Sequence, residues 1–187
     1  MEDLASWRRR CAAEILGESK PIVRALDIIR RVARCRSSVL FVGETGTGKE
    51  LFARALHRAS PRASGPFVTV DCATVPEQVL EERLAAAAGG TLFLDEVGEL
   101  SLAAQARLLR ALEDGAAGPV DVRVVAATHR DLDALVAAGT YRADFYFRVS
   151  VVPVELPALR DRGADIELLA EAAIRHAVER GGQPVEL

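Results

Sequence analysis

The sequence predicts an α/β protein built as a three-layer sandwich around a central parallel sheet, followed by the start of a smaller helical subdomain. Three observations carry that reading. Short runs rich in apolar and β-branched residues at 38–42, 67–70, 91–95 and 123–127 look like strands buried on both faces. Segments of helical period alternate with them at 21–34, 49–59, 74–84 and 101–113, as a parallel sheet requires. A glycine-rich loop joins the first strand to the helix after it.

The elements follow in order. Ile22, Val23, Leu26, Ile29 and Val32 recur at helical spacing, with Pro21 suited to a first turn and arginines on the other face. Residues 38–42 are the first strand, and 67–70 the second. Thr74-Val75-Pro76-Glu77 reads as a capping box that opens a helix running to Leu84. An alanine run and Gly89-Gly90 precede the third strand. Leu102, Leu109 and Leu112 share one face of the helix at 101–113, and residues 115–119 read as a turn-rich loop before the fourth strand. Pro153 and Pro157 punctuate the chain before a last helix at 165–180. The expected organisation is an extension at 1–14, an α/β domain at 15–157 and the start of a helical subdomain at 158–187.

Composition narrows the function classes. The 187 residues allow one full domain and a fragment of a second. Half are hydrophobic and 27% are charged, which excludes a disordered or low-complexity chain. Lys plus Arg number 24 against 27 Asp plus Glu, so the net charge of −3 offers no general attraction to nucleic acid or to an anionic membrane. DNA would be met through a local patch or another part of the protein. Cys11, Cys35 and Cys72 are odd in number and lack zinc-site spacing, which fits a reduced cytoplasm. No apolar run approaches the length of a membrane span, and no secretory segment opens the chain.

The chemistry centres on Gly43-Glu44-Thr45-Gly46-Thr47-Gly48-Lys49, a phosphate-binding loop between a strand and a helix. Glycines let backbone N–H groups turn inward around a polyphosphate, the helix N-terminus adds partial positive charge, and the lysine supplies a point charge. Lys49 is one of two lysines in the chain, which makes its place in this loop informative. Glu50 stands where Ser or Thr is usual. The second element is Asp95-Glu96, delivered by an apolar strand to its C-terminal edge, where open α/β sheets bind ligands. Alone, such a pair is a solvated turn. Downstream of a phosphate loop, Asp95 reads as the Mg²⁺ residue, acting through water, and Glu96 as the group that orients or deprotonates the attacking water. His57 and His176 read as surface residues on helices.

These motifs, with Leu51-Phe52-Ala53-Arg54-Ala55-Leu56-His57, the run Gly90-Thr91-Leu92-Phe93-Leu94-Asp95-Glu96-Val97-Gly98-Glu99 and the segment at 153–162, resemble the AAA+ domain of sigma-54-interacting bacterial transcription activators. The resemblance runs from Ile15 to Arg180. It implies a hexameric or heptameric ring that binds ATP and Mg²⁺, hydrolyses ATP at subunit interfaces and remodels sigma-54 RNA polymerase holoenzyme. Glu after the loop lysine is normal in that family, so Glu50 is no defect. Ile15-Leu16-Gly17 matches the stretch against adenine, which makes Ile15 and Gly17 nucleotide contacts. Arg142 and Arg148 fall where the family carries arginine fingers that reach the next subunit's γ-phosphate; without the motif they would be read as solvating a short helix.

The sequence also departs from the family. The long loop with a Gly-Ala-Phe-Thr-Gly-Ala tip, which touches sigma-54, should lie between the helix ending near Leu84 and the strand at Thr91, and here residues 85–90 join the two directly. A second pore-facing segment is shortened to 114–122. Asp71 replaces the Asn that partners the catalytic glutamate, and a second carboxylate there would raise the pKa of Glu96 or repel it. His129 stands at the polar sensor position, normally Asn, near the γ-phosphate. The lid arginine and a DNA-binding helix-turn-helix are not expected within these residues. The leading expectation is therefore an ATPase domain in transcription regulation whose output is not standard sigma-54 remodelling. Its rivals are a nucleotide-gated interaction module with little hydrolysis, motivated by Asp71 and His129, and an inactive remnant.

Overall fold

The computed structural model describes residues 3–113 and 120–179. They form a five-stranded parallel sheet of β1 (Val39–Val42), β2 (Phe67–Asp71), β3 (Thr91–Asp95), β4 (Arg123–Thr128) and β5 (Val152–Glu155), in the order β2-β3-β4-β1-β5. The register sets Val42 beside Thr128 and Asp71 beside Asp95, so the C-terminal ends of four strands meet along one edge. The loop at 43–48 and the pair Asp95-Glu96 both emerge there.

Strand alternation divides the core into two layers. Phe41, Phe93, Val125 and Val154 face α1 (Leu4–Cys11), α2 (Lys20–Val32) and α3 (Lys49–Arg58), burying Trp7, Ile22, Leu26, Ile29, Phe52 and Leu56. Leu40, Leu92, Leu94, Val124 and Ala126 face α4 (Leu80–Ala86), α5 (Leu102–Glu113) and α7 (Ala143–Val149), burying Leu84, Leu108, Leu112 and Phe145. A short α6 (Leu132–Ala137) precedes α7, and α8 (Asp165–Glu179) follows β5 with Asp165 as its buried residue. This is the three-layer α/β sandwich that the sequence predicts.

Local chemistry departs from the sequence reading in four places. The capping box does not form, because the Thr74 hydroxyl donates to Asp71 Oδ2 at 2.9 Å and a 3₁₀ turn at Glu77–Val79 intervenes before α4. β5 is a strand despite Pro153. Val152 N and Leu156 N donate to Ser38 O and Val42 O, so even-numbered residues face β1 and the proline, lacking a donor, faces outward from the sheet edge. The extension at 1–14 contains α1, whose residues Leu4, Trp7 and Cys11 form one stripe against the core while Arg8–Arg10 stay outside it. His57 is buried, not at the surface: its Nδ1 lies 2.9 Å from Thr91 Oγ1 and its ring 5.3 Å from that of Phe67. Burial and the nearby arginine charges hold its pKa below the usual value. His176 is exposed as expected. The turn-rich loop at 115–119 and the last residue of the final helix lie outside the described residues, as does most of the second shortened segment.

Candidate functional site

The loop after β1 is fixed at both ends. Gly43 N donates to Thr128 O at 3.1 Å, and a Cβ on Gly43 would stand 2.7 Å from Leu156 O, so the strand end tolerates no side chain there. Gly46 and Gly48 take φ of 84° and 94°, the left-handed region that favours glycine, and Gly48 caps α3. Thr47 Oγ1 donates to Glu44 O at 2.8 Å and closes the turn. Lys49 is 7% exposed; its Nζ donates to Gly43 O at 2.9 Å and Glu44 O at 3.2 Å, which centres the ammonium inside the loop. Glu50 is committed to the helix surface, where its Oε1 accepts from Arg54 Nη2 at 2.6 Å.

A cavity of about 340 Å³ opens beside this loop, lined by Ile15 and Leu16 on one side, residues 44–48 on another, and Leu159, Arg160, Arg162 and Leu169 on a third. Ile15 is buried and offers an apolar wall, Thr45 lies in the loop wall, and Gly17 is not among the lining residues. Gly17 has another role. At φ of +124° a Cβ there would come within 2.5 Å of Asp165 Oδ2, and that carboxylate accepts from Glu18 N at 2.6 Å and Ser19 N at 3.0 Å. Burial raises the Asp165 pKa, but those hydrogen bonds and the charge of Arg162 outweigh it and hold the carboxyl below its ordinary value.

Arg162 completes the tie. It is buried and donates through Nη2 to Thr47 O at 2.6 Å, while Arg160 Nη1 donates to Glu44 Oε2 at 2.9 Å. One short segment thus braces the phosphate loop through two arginines, and Asp165 braces the chain that carries Ile15. Sequence reading assigned no role to Arg160, Arg162 or Asp165. More than a hundred residues separate each from its partner, so no local spacing signals the contact.

At the strand ends, Glu96 takes φ of 51°, the one non-glycine positive φ among the described residues. Such backbone strain persists where surrounding structure enforces it, and it gathers at functional sites. Glu96 Oε1 lies 3.4 Å from Lys49 Nζ. Its Oε2 accepts from His129 N at 3.2 Å and lies 2.7 Å from His129 Nδ1. Burial pushes the Glu96 pKa up, but the hydrogen bonds from His129 and the charge of Lys49 outweigh it, so the carboxyl sits below its ordinary value. This corrects the expectation that Asp71 raises it. The Asp71 carboxylate is bound into its own turn, accepting from Ala73 N at 3.0 Å and from Thr74.

Asp95 is shifted the other way. Burial and then the charge of Glu96 raise its pKa, although its Oδ1 accepts from Glu96 N at 3.1 Å. A partly buried carboxylate disfavoured as an anion is one that a bound cation would relieve. Among the described residues no three His, Cys, Asp or Glu side chains cluster as a complete metal-ligand set.

Arg142 and Arg148 line none of this cavity. Arg142 precedes α7 and is exposed, with Nη2 donating to Asp144 Oδ2 at 2.7 Å. Arg148 is exposed at the penultimate residue of α7, next to Phe147, which is 72% exposed.

The family described as the Sigma-54 interaction domain matches residues 16–159. The nitrogen fixation protein VnfA of Azotobacter vinelandii is 45% identical over 186 aligned positions, taking in 85% of this chain and 36% of VnfA. A Nif-specific regulatory protein of Rhodobacter capsulatus is 48% identical over 184 positions, covering 84% of this chain and 32% of its own length. The chain thus spans about a third of these relatives. NtrX from Brucella abortus, crystallised in complex with ATP, superposes with a TM-score of 0.84 at 38% identity, over 92% of this chain and 43% of NtrX. The Holliday junction motor RuvB of Thermotoga maritima shares the fold alone, with a TM-score of 0.63 at 20% identity, over 89% of this chain and 55% of RuvB. No helix among the described residues is long and apolar enough to cross a membrane.

Proposed function

The chain belongs to the family of Sigma-54 interaction domains, and from that premise we propose that it binds ATP in the cavity beside residues 43–49 and hydrolyses it at the junction of Lys49 and Glu96. The single observation that carries this is the 3.4 Å approach of Lys49 Nζ to Glu96 Oε1 at the C-terminal edge of the sheet. The cation that would meet the phosphates and the carboxylate that would act on water are positioned as one unit. Ile15 and Leu16 supply an apolar wall for a base, and the loop N–H groups with the start of α3 supply the phosphate cradle. Glu96, kept ionised by His129 and Lys49, orients or deprotonates the attacking water.

Asp95 is the residue that would hold Mg²⁺, with water completing the shell, since Mg²⁺ commonly binds through one or two carboxylates and retained waters. When bound, the ion neutralises charge developing on the transferred phosphate. Arg142 and Arg148, exposed and absent from the lining of their own chain's cavity, suit fingers that act on a neighbouring copy in a ring. The thiols of Cys11, Cys35 and Cys72 suit a reducing cytoplasm.

The output we infer is regulation of transcription by a route other than standard sigma-54 remodelling, acting on RNA polymerase holoenzyme or another transcription component, with DNA met only through a domain outside this chain. Residues 87–90 alone connect α4 to β3, with Gly90 N donating to Ala87 O at 2.9 Å and Gly89 N to Asp121 O at 2.8 Å. That connection has no room for a projecting loop with a Gly-Ala-Phe-Thr-Gly-Ala tip. The VnfA alignment runs over 186 positions yet takes in 85% of this 187-residue chain, so the relative carries positions with nothing opposite them here.

A nucleotide-gated interaction module remains the second reading, favoured by the engagement of Glu96 with His129. ATP hydrolysis per subunit, followed against protein concentration with a Glu96→Gln control, separates the two. Turnover that climbs with concentration while the control stays silent supports the assembling ATPase. Binding of ATP with turnover at the control level at every concentration supports the module.

A further inference from the structure

A second cleft lies at the opposite edge of the sheet. β4 runs from Arg123 to Thr128, so the N-terminal end of the sheet is about 16 Å from the phosphate loop along the strand. There a cavity of about 310 Å³ is lined by Arg34, Arg36, Arg62 and Arg123, with Asp121 as the one carboxylate among its lining residues. The excess of positive charge runs against the net charge of −3 of the whole chain.

Part of this charge has an evident structural use. Arg123 is 2% exposed and donates through Nη1 and Nη2 to Ala33 O at 2.8 Å and Val32 O at 2.9 Å, which satisfies carbonyls at the end of α2. Arg62 Nη1 donates to Asp121 O at 3.0 Å, and its Nη2 reaches Asp121 Oδ1 as well. These contacts leave a surplus. Arg123 Nε is sealed from solvent with no acceptor among the described residues, so this buried guanidinium is balanced by carbonyl dipoles and no carboxylate. Arg36, its side chain 85% exposed, approaches Asp121 no nearer than 3.7 Å. The Arg34 side chain makes no hydrogen bond or ion pair with any described residue. Burial, with the charge of Arg62, brings the Arg123 pKa down to about 10 against a smaller opposing effect of Cys35, as expected of a cation short of counter-charge.

We propose that this cleft binds a small phosphate-bearing anion at a site separate from residues 43–49. At the rim the Arg34 fork is unengaged and Arg36 is held only by its 3.7 Å ion pair to Asp121, so both suit bidentate contact with phosphate oxygens, and Arg62 with Arg123 sets the positive field of the floor. The cavity is concave and small, which suits a compact anion better than a duplex.

The probe is inorganic pyrophosphate, titrated into ¹⁵N-labelled chain carrying Lys49→Ala to disable the first phosphate site. The readout is the side-chain Nε–H resonance of Arg123. The expected result is a saturable shift that survives Lys49→Ala and weakens at least about tenfold in a further Arg34→Glu/Arg36→Glu variant, whose two sites are exposed and carry no part of the fold. In an otherwise native chain, that double variant retains the ATP affinity of the loop. Failure to saturate, equal affinity in the double variant, or an equal shift from sodium chloride at matched ionic strength would overturn the proposal. A response to single-stranded DNA with none to pyrophosphate would also overturn it.

Discussion

His129 holds the carboxylate of Glu96: Oε2 lies 2.7 Å from Nδ1 and accepts the backbone N–H at 3.2 Å. Burial opposes ionisation of Glu96, and these bonds with the charge of Lys49 reverse that effect. Glu96 acts on water as the anion, so the acid side of the pH–rate profile reports its protonation. His129→Ala removes the side-chain bond, burial then dominates, and the Glu96 pKa rises. The expected outcome is an acid limb of kcat displaced to higher pH, with activity lost more at acid pH than at neutral pH. A profile that only drops in height, unmoved along the pH axis, would reject this coupling.

Glu96→Gln keeps the shape and the left-handed backbone but removes the charge facing Lys49. Hydrolysis should fall by about 10²- to 10⁴-fold, the usual contribution of a positioned acid–base group, while ATP affinity stays within about threefold. Single-turnover kinetics and calorimetric titration check the two halves separately. A matching loss of affinity would mean that Glu96 serves binding and not chemistry.

How much of this was legible in the sequence depended on the range of the interaction. The phosphate loop, Asp95 and Glu96 were readable because a strand, a glycine turn and a helix start are written in consecutive residues. The four strands rich in apolar residues were readable for the same reason. β5 was hidden by Pro153, whose missing N–H matters only toward a neighbouring strand, and the sequence does not say which side is the sheet edge. His57 was read as a surface residue because its hydrogen-bond partner, Thr91, lies 34 residues on. Gly17 was assigned to the nucleotide by resemblance, while its geometry answers to Asp165, 148 positions away. The braces from Arg160 and Arg162 to the loop are of the same kind.

Gly17→Ala tests that last relationship. The substitution is strained by φ of +124° and drives a Cβ to 2.5 Å from Asp165 Oδ2. Strain plus disturbance of the Glu18 and Ser19 hydrogen bonds should cost about 2 kcal/mol, which lowers Tm by about 4–8 °C in a domain of this size. A thermal melt measures it. An unchanged Tm with weakened ATP binding would restore Gly17 to the nucleotide side of the ledger.

Asp165 gives a stability test with a definite sign. Its folded pKa lies below the ordinary carboxylate value, so its stabilisation is complete above the unfolded pKa and is lost as pH falls through the folded one. Asp165→Asn removes a charged acceptor of two backbone N–H groups and should cost about 2 kcal/mol at neutral pH. The gap in Tm between the native chain and the variant should narrow as the pH is lowered through the carboxylate range. A gap that stays constant down to acid pH would show that Asp165 acts through packing alone.

The arginines of α7 are tested by complementation. Arg148 is exposed beside Phe147 and lines no part of its own chain's cavity, so any action on phosphate must cross to a neighbour. Arg148→Ala should reduce hydrolysis by about 10³-fold if it serves as a finger, and Glu96→Gln disables the receiving site instead. Each variant alone is then inactive. In an equimolar mixture, about a quarter of head-to-tail interfaces pair an intact Glu96 with an intact Arg148, and activity returns to about that fraction of native turnover. Recovery on mixing requires an active site shared between two copies, because neither chain carries a complete set. A mixture as silent as its components would remove Arg148 from the mechanism and leave it a solvated residue on a short helix. Arg142, tied to Asp144 through a 2.7 Å bond, would be the next arginine to exchange in the same assay.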